Sequence, residues 1–307
     1  MEFEGLISSY PANRPLTREE IEDYLPVDRR NDVEPQSQLA AIRANSTFLE
    51  LTDKFFGAKG QASLVALLVI GISILAMAAA LISVVDGIEQ ASQQEMLDGM
   101  AFLAMTTLIF MPLFGAGLWF LLSESFSLTH FPIRFNRRNR MVYVFRTNGS
   151  VLCAPWDELF FTLCRQPRGG GLSLWEVRAH VLASDGTTVR ETFALPFAAR
   201  RHEPALLSLW EFVRRYMEDG PQDTVPRIAR LTPISQQRER FWHGCRRLWS
   251  ELVGGAPMPV MFGLLAPLFT PLAITRQFAK WTSRIPVWPA EVEAACEIAA
   301  DDPYVKE

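Results

Sequence analysis

The sequence predicts an α+β membrane protein: a two-helix transmembrane hairpin, then an antiparallel β domain closed by one helix, then interfacial helices. Three observations carry this reading. Two uncharged apolar runs, Ser63–Val85 and Met100–Ser123, are separated by a short acidic stretch. As a helix each run reaches about 34 Å at about 1.5 Å per residue, against a hydrocarbon core of about 30 Å. After Pro132 the pattern changes to short alternating segments punctuated by turn residues, and a single amphipathic helix follows them.

The flanking charges orient the hairpin. The stretch Asp86–Gly99 holds Asp86, Glu89, Glu95 and Asp98 and no basic residue. Lys54 and Lys59 precede the first run, and Arg134, Arg137, Arg138 and Arg140 follow the second. The positive-inside rule therefore expects both termini in the cytoplasm and the acidic loop outside. A buried helical hairpin in a soluble protein is the alternative, but such helices seldom run this long without a charge. The first run also begins too deep in the chain for a cleavable secretory signal.

Composition narrows the function classes. The chain carries 30 basic against 34 acidic residues, unevenly placed. The first fifty residues hold ten acidic and five basic groups, whereas Glu124–Gly220 holds thirteen arginines against ten acids. A uniformly basic nucleic-acid binder is excluded, though a locally basic face is not. Cys153, Cys164, Cys245 and Cys296 all fall on the expected cytoplasmic side, where thiols stay reduced. No C-x-x-C pair occurs, so neither a zinc cluster nor a redox pair is expected, and no cofactor is implied.

Four regions follow in order. Residues 1–62 form an acidic region expected to be helical and to pack on the later domain or remain mobile. Thr17 caps a short helix with Glu20 closing the capping box, and Pro26 ends it. Ser37–Phe56 is expected as a second helical stretch, with Leu39, Ile42, Phe48, Leu49 and Leu51 as its contact residues. Residues 63–123 are the hairpin. Pro112, Gly115 and Gly117 suit a kink in the second helix, and Ala76 and Ala80 suit close helix packing.

Residues 124–220 read as β structure. Met141–Arg146 and Val151–Ala154 flank Asn148-Gly149, a strong hairpin signal. Leu159–Arg165 is a further strand, and Gly169, Gly170 and Gly171 make a mobile connection. In Ser173–Ala183, Trp175, Val177, Ala179 and Val181 alternate with Glu176, Arg178 and His180, as in a half-buried strand. Asp185-Gly186 turns the chain into Thr188–Leu195. A helix then opens at Pro204 and ends before Gly220, burying Leu206, Leu209, Trp210, Phe212, Val213 and Met217. Antiparallel strands closed by one helix suggest a pleckstrin-homology (PH)-like half-barrel. Six strands are counted against the seven of that architecture, and a helix-backed open sheet is the alternative.

Residues 221–307 are amphipathic and proline-rich. Ser235–Val253 sets Phe241, Trp242, Cys245, Leu248, Trp249 and Leu252 against Arg238, Arg240, Arg246 and Arg247. That pattern suits a helix in the membrane interface or one docked on the β domain. The uncharged run Leu252–Thr275 is broken by Pro257, Pro259, Pro267 and Pro271 and has basic residues on both sides. An interfacial or re-entrant segment is expected there rather than a third span. Pro289 opens a short helix in the acidic tail.

Catalytic patterns are scarce. His130, His180, His202 and His243 show no H-E-x-x-H spacing, and no G-x-S-x-G occurs. His243 and Cys245, two apart on a helix, point away from each other. The adjacent carboxylates Asp157 and Glu158 read as a solvated turn. No catalytic, cofactor-binding or metal-binding residue is expected, and the chain reads as a non-enzyme. The candidate membrane-surface or partner contacts are Arg134, Arg137, Arg138, Arg140, Trp242, Trp249, Arg246 and Arg247. Near an anionic membrane each arginine contributes about 1 kcal/mol, and the same cluster also fixes topology.

Two early spans, the run Phe135-Asn136-Arg137-Arg138-Asn139-Arg140-Met141-Val142-Tyr143-Val144-Phe145, and the step Pro155-Trp156-Asp157 together resemble an uncharacterised family of proteobacterial two-span membrane proteins. Members of that family occur beside type VI secretion effector genes. The resemblance covers about Ser63–Glu307 and supplies no catalytic residues. It implies an inner-membrane immunity protein that binds a cognate toxin, or alternatively an adaptor of the secretion machinery. Partners are then membrane lipids and a toxin or secretion-system protein, with no nucleic acid. The oligomeric state stays open.

Overall fold

The structure is a computed structural model, and it describes residues 10–87, 92–167, 173–199, 204–232, 234–235, 238–242, 244–245, 248–249 and 258–307. It is a mixed α+β protein with two long apolar helices and two antiparallel sheets. The chain divides into two compact units. One comprises Met1–Phe56, Leu128–Glu239 and Ile285–Glu307, and the other Gly57–Ser127 and Arg240–Arg284.

The first unit is built on two sheets. Strands β2 (Ala41–Ala44), β3 (Phe48–Leu51), β4 (Ile133–Asn136), β5 (Met141–Phe145) and β6 (Val151–Pro155) lie in sequence order in the larger sheet. The smaller has the order β1-β9-β8-β7, from β1 (Arg14–Pro15), β7 (Leu159–Pro167), β8 (Ser173–Leu182) and β9 (Thr188–Ala199). The chain passes between sheets at Pro155, where the single 3-10 turn Trp156–Glu158 intervenes. Asn148-Gly149 makes the expected hairpin: Gly149 has φ +85°, and Arg146 N donates to Ser150 O at 2.9 Å.

The expected helix over Ser37–Phe56 is corrected by the structure, which forms the hairpin β2–β3 there. The cause is turn chemistry at Asn45. Its Oδ1 accepts the N–H groups of Thr47 and Phe48, each at 2.8 Å, and reverses the chain within three residues. In β3 the side chains then alternate: Leu49 and Leu51 enter the main core while Phe48 and Glu50 face the other way. Because β3 pairs with β4, the N-terminal residues supply strands that a count starting at Pro132 leaves out.

Helix α4 (Pro204–Glu218) follows the sequence expectation, with Leu206, Leu209, Trp210, Phe212, Val213 and Met217 all buried. Its apolar stripe meets the inner faces of the strands. The centre of that core is aromatic: Trp156 lies 4.9 Å from Phe161 and 5.9 Å from Trp210, ring centre to ring centre. Fully burying side chains of this size yields about 1.5–3 kcal/mol each, so the cluster anchors the unit.

Both outer sheet faces are covered as well, which changes the meaning of the polar alternation. Val177 and Ala179 are buried as expected, but so are Glu176, Arg178 and His180 on the opposite face of β8. The N-terminal segment covers them. It pairs with β9 through β1, crosses as α1 (Arg18–Glu22), and meets the free edge of β7, where Leu25 N donates to Phe161 O. Thr17 caps α1 with a complete capping box to Glu20. On the larger sheet the tail does the same work: Trp288 and helix α6 (Ala290–Ala295) pack on Phe48, Tyr143 and Phe145.

The second unit contains α2 (Gln61–Gly87), α3 (Gln93–Glu124) and α5 (Met258–Thr282). The first two are long and apolar enough to cross a membrane. They pack closely at Gly117, where an added Cβ would lie 3.0 Å from Ile70 Cγ1 and 3.2 Å from Ala66 O. Ala80 is buried in this unit. Beyond Gly117, at the start of α2 and the end of α3, Glu124 accepts the backbone N–H of Gly60 at 2.8 Å and of Ser63 at 2.5 Å. Ser63 and Ser125 hydroxyls meet beside it at 3.1 Å.

Helix α5 runs through Pro267 and Pro271, where the sequence suggested a broken segment. The two prolines are four residues apart and both are exposed, so their missing N–H groups fall on one outward stripe and the packed face keeps its ladder. Of the glycine and proline positions preceding it, residues 250–257 lie outside the described residues.

Candidate functional site

The arginine-rich turn between β4 and β5 is the densest charge signal in the sequence, and its residues have separate fates. Arg134 is 1% exposed and does not reach the surface, contrary to its reading as a membrane or partner contact. In β4, Ile133 and Phe135 point into the main core, so Arg134 points to the opposite face. There Nε and Nη2 donate to Glu50 Oε2 at 3.0 and 2.8 Å, and Nη2 also reaches Glu293 at 3.2 Å. The guanidinium lies over the Phe48 and Trp288 rings, 4.4 and 4.7 Å from their centres.

Asn136 shapes the turn itself. Its Oδ1 accepts the N–H groups of Arg138 and Asn139, and its Nδ2 donates to Ala295 O at 2.7 Å. Arg140, held at φ +55°, donates to both oxygens of Asp157 and to Glu218. The hydrogen bond from Arg140 holds the Asp157 carboxyl below the usual range, and the Arg140 guanidinium is raised in turn. Trp156 Nε1 donates to the same Glu218 at 2.6 Å. The step Pro155-Trp156-Asp157 is thus a structural rivet, with a core ring and a turn-holding carboxylate on adjacent residues. Arg137 is half-buried, and Arg138 is the turn's exposed arginine.

A second polar constellation lies under the N-terminal segment, and sequence spacing gave no hint of it. Glu20, Cys164 and His180 are all buried and bring one potential ligand atom each within 4.8 Å of the others. The carboxylate is already engaged. Arg14 grips both its oxygens at 2.6 and 2.8 Å, and Thr17 N donates at 2.9 Å. His180 Nε2 stands 3.2 Å from Glu20, an ion-pair distance, while Nδ1 meets Thr192 Oγ1 at 2.7 Å. Burial opposes the Glu20 charge, but His180, Arg14 and Thr17 outweigh it and hold its pKa well below the carboxylate range. Burial pushes the Cys164 thiol up to about 12. A protonated thiol and a saturated carboxylate are poor metal ligands. The line Thr192–His180–Glu20 has relay spacing, but its imidazole is 0% exposed and its carboxylate is neutralised by Arg14. Nearby, Lys54 and Arg178 both pair with Glu176.

In the second unit, Trp242 is 78% exposed, whereas Trp249 is 6% exposed and packs edge-on against Phe269 at 5.7 Å. Trp249 therefore serves as a packing residue and Trp242 is free to meet a surface. Arg246 and Arg247 lie outside the described residues. Phe241, Ile274, Gln277, Phe278 and Trp281 line a cavity of about 390 Å³.

Taken together, the fold and its polar groups define an α+β protein with two helices able to span a membrane, whose strongest charges among the described residues are engaged in holding structure. The chain belongs to a family of unknown function (DUF6708), whose model matches residues 108–300, more than half of its length. No curated protein and no solved structure matches it.

Proposed function

We propose that this chain is a membrane-anchored, non-enzymatic binding protein, with α2 and α3 crossing the bacterial inner membrane and both termini in the cytoplasm. The observation that carries the reading is the outward face of those helices. Leu75 and Leu108 are 71% and 76% exposed, in company with Val65, Ile82, Met100 and Met105. Apolar side chains turned outward along helices of 27 and 32 residues are stable against lipid and costly against water. In this reading the first unit is a PH-like domain that recognises a partner in the cytoplasm. Support comes from its two antiparallel sheets and the helix α4 that packs on their core.

The partner we assign is a type VI secretion effector, which the chain neutralises as an immunity protein; the resemblance of its turn and rivet motifs carries this step. The test is co-expression of the toxin encoded next to the gene, with and without this chain. Survival only in its presence supports immunity, and equal death in both overturns it. Deletion that stops effector delivery while leaving self-intoxication unchanged would assign an adaptor role instead.

A further inference from the structure

The cavity in the second unit lies on one face of α5, and its position along that helix is fixed by neighbours. Ile274, Gln277, Phe278 and Trp281 recur at spacings of three and four, so they form one stripe, and Phe241 closes the groove from the side. The opposite face of α5 packs on other helices: Phe269, Leu272 and Ala273 are buried with Leu248 and Trp249, and Leu64 of α2 joins them. Arg276 lies against Gly60, so close that a Cβ on Gly60 would come within 2.3 Å of Arg276 Cα. Phe278 meets Phe126, two residues past the end of α3, at 6.2 Å. Arg284 N donates to Ser127 O at 2.8 Å.

These contacts set the stripe level with the start of α2 and the end of α3. The same stretch leaves large apolar side chains uncovered: Ile274 is 57% exposed, Trp281 65%, Trp242 78% and Phe241 40%. Aromatic rings at the boundary of an apolar span mark the zone between headgroups and acyl chains. A cavity of about 390 Å³ falls within the ~300–1,000 Å³ typical of small-ligand sites. Its walls are aromatic and aliphatic, with the amide of Gln277 as the polar contribution.

We infer that this groove is a lipid site in which one acyl chain of a bilayer phospholipid lies against Phe241, Ile274, Phe278 and Trp281. The inference rests on α2 and α3 crossing a bilayer. Phe278 in its wall meets Phe126 just past the end of α3, and an acyl chain matches the aromatic and aliphatic lining. Gln277 then meets the ester level of the same lipid.

The experiment uses the full chain reconstituted in phosphatidylethanolamine–phosphatidylglycerol vesicles. They carry a trace of phospholipid with a diazirine near the carboxyl end of one acyl chain. Photolysis followed by peptide mapping is expected to give adducts on Phe278 and Trp281 and on lipid-facing residues of α3 around Trp119. The variant Ile274→Trp fills the groove and is expected to abolish the first set while leaving the second. Adducts around Trp119 with none on residues 274–281 would overturn the lipid site while the spanning reading stands. Adducts on Phe278 and Trp281 undiminished by Ile274→Trp would likewise overturn it. Absence of adducts from α3 as well would overturn the spanning reading and the lipid site together.

Discussion

Arg134 and Glu50 form a fully enclosed ion pair, with two hydrogen bonds of 3.0 and 2.8 Å between residues on adjacent strands. Each side chain is at most 3% exposed. Two charges withdrawn from water are stable only while each has the other, so the pair should respond asymmetrically to mutation. Glu50→Gln or Arg134→Met alone is expected to destabilise by about 3–5 kcal/mol. The double variant Arg134→Met with Glu50→Leu is expected to recover most of that loss. Denaturant unfolding of the purified chain in detergent measures it, and additive losses in the double variant would contradict the pairing.

Trp156 should matter far more than Arg138, the exposed arginine of the turn. Trp156→Ala removes three ring contacts and the donor to Glu218, and is expected to cost about 3–5 kcal/mol. Arg138→Ala, at an exposed position, is expected to change stability by less than about 0.5 kcal/mol. Thermal melts followed by near-ultraviolet circular dichroism discriminate them, and equal shifts would remove the central role given to the indole.

Glu20 makes the covering of the smaller sheet sensitive to acid. Its carboxyl is depressed in the folded chain relative to about 4.3 when unfolded. A depressed carboxylate adds stability above its unfolded pKa and loses it as pH falls toward the folded value. The wild-type unfolding midpoint should therefore decline below about pH 4.3, and Glu20→Gln should be less stable at pH 7 with a flatter decline in acid. Parallel pH profiles for the two proteins would show that the carboxylate is not held by Arg14 and His180.

Gly60 has φ +98° and faces the Arg276 backbone at a distance no Cβ tolerates. Gly60→Ala adds backbone strain of about 1–3 kcal/mol and a steric clash with α5. The expected result is a lower melting temperature in detergent, together with faster proteolysis near Arg276. Gly71→Ala, at a site with no neighbour within 4 Å, is the control and should be silent.

The proposed orientation, with both termini in the cytoplasm, is checked by a fusion. A reporter placed after Gly220 should be active only when its chemistry works in the cytoplasm, and alkaline phosphatase activity from that fusion would invert the assignment.

What the sequence made legible was local. Asn148-Gly149, the Thr17–Glu20 capping box and the stripe of α4 each depend on residues a few positions apart, and each forms as expected. The misreadings share the opposite property. Arg134 looked like a surface arginine because its partner Glu50 lies 84 residues earlier and its lid, Trp288, comes from the tail. With Ser37–Phe56 read as a helix, Glu50 has no strand from which to face it. The Asn45 turn was the available signal, since an asparagine between two apolar segments reverses a chain as readily as Asn148 does. Glu20, Cys164 and His180 meet only because the N-terminal segment wraps the sheet, an arrangement that no spacing rule encodes.

If α2 and α3 cross a bilayer as proposed, the Glu124 clasp bears on how the chain enters it during synthesis. Free N–H groups at the start of a helix are costly wherever water is scarce. For α2, two such groups, on Gly60 and Ser63, are satisfied by a carboxylate at the far end of α3, 64 and 61 residues later in synthesis, respectively. The first helix therefore remains incomplete at its own beginning until the second has been made and has turned back to it. That dependence favours delivery of the hairpin to lipid as a pair, with the closing of Glu124 onto Ser63 as the step that retains it there.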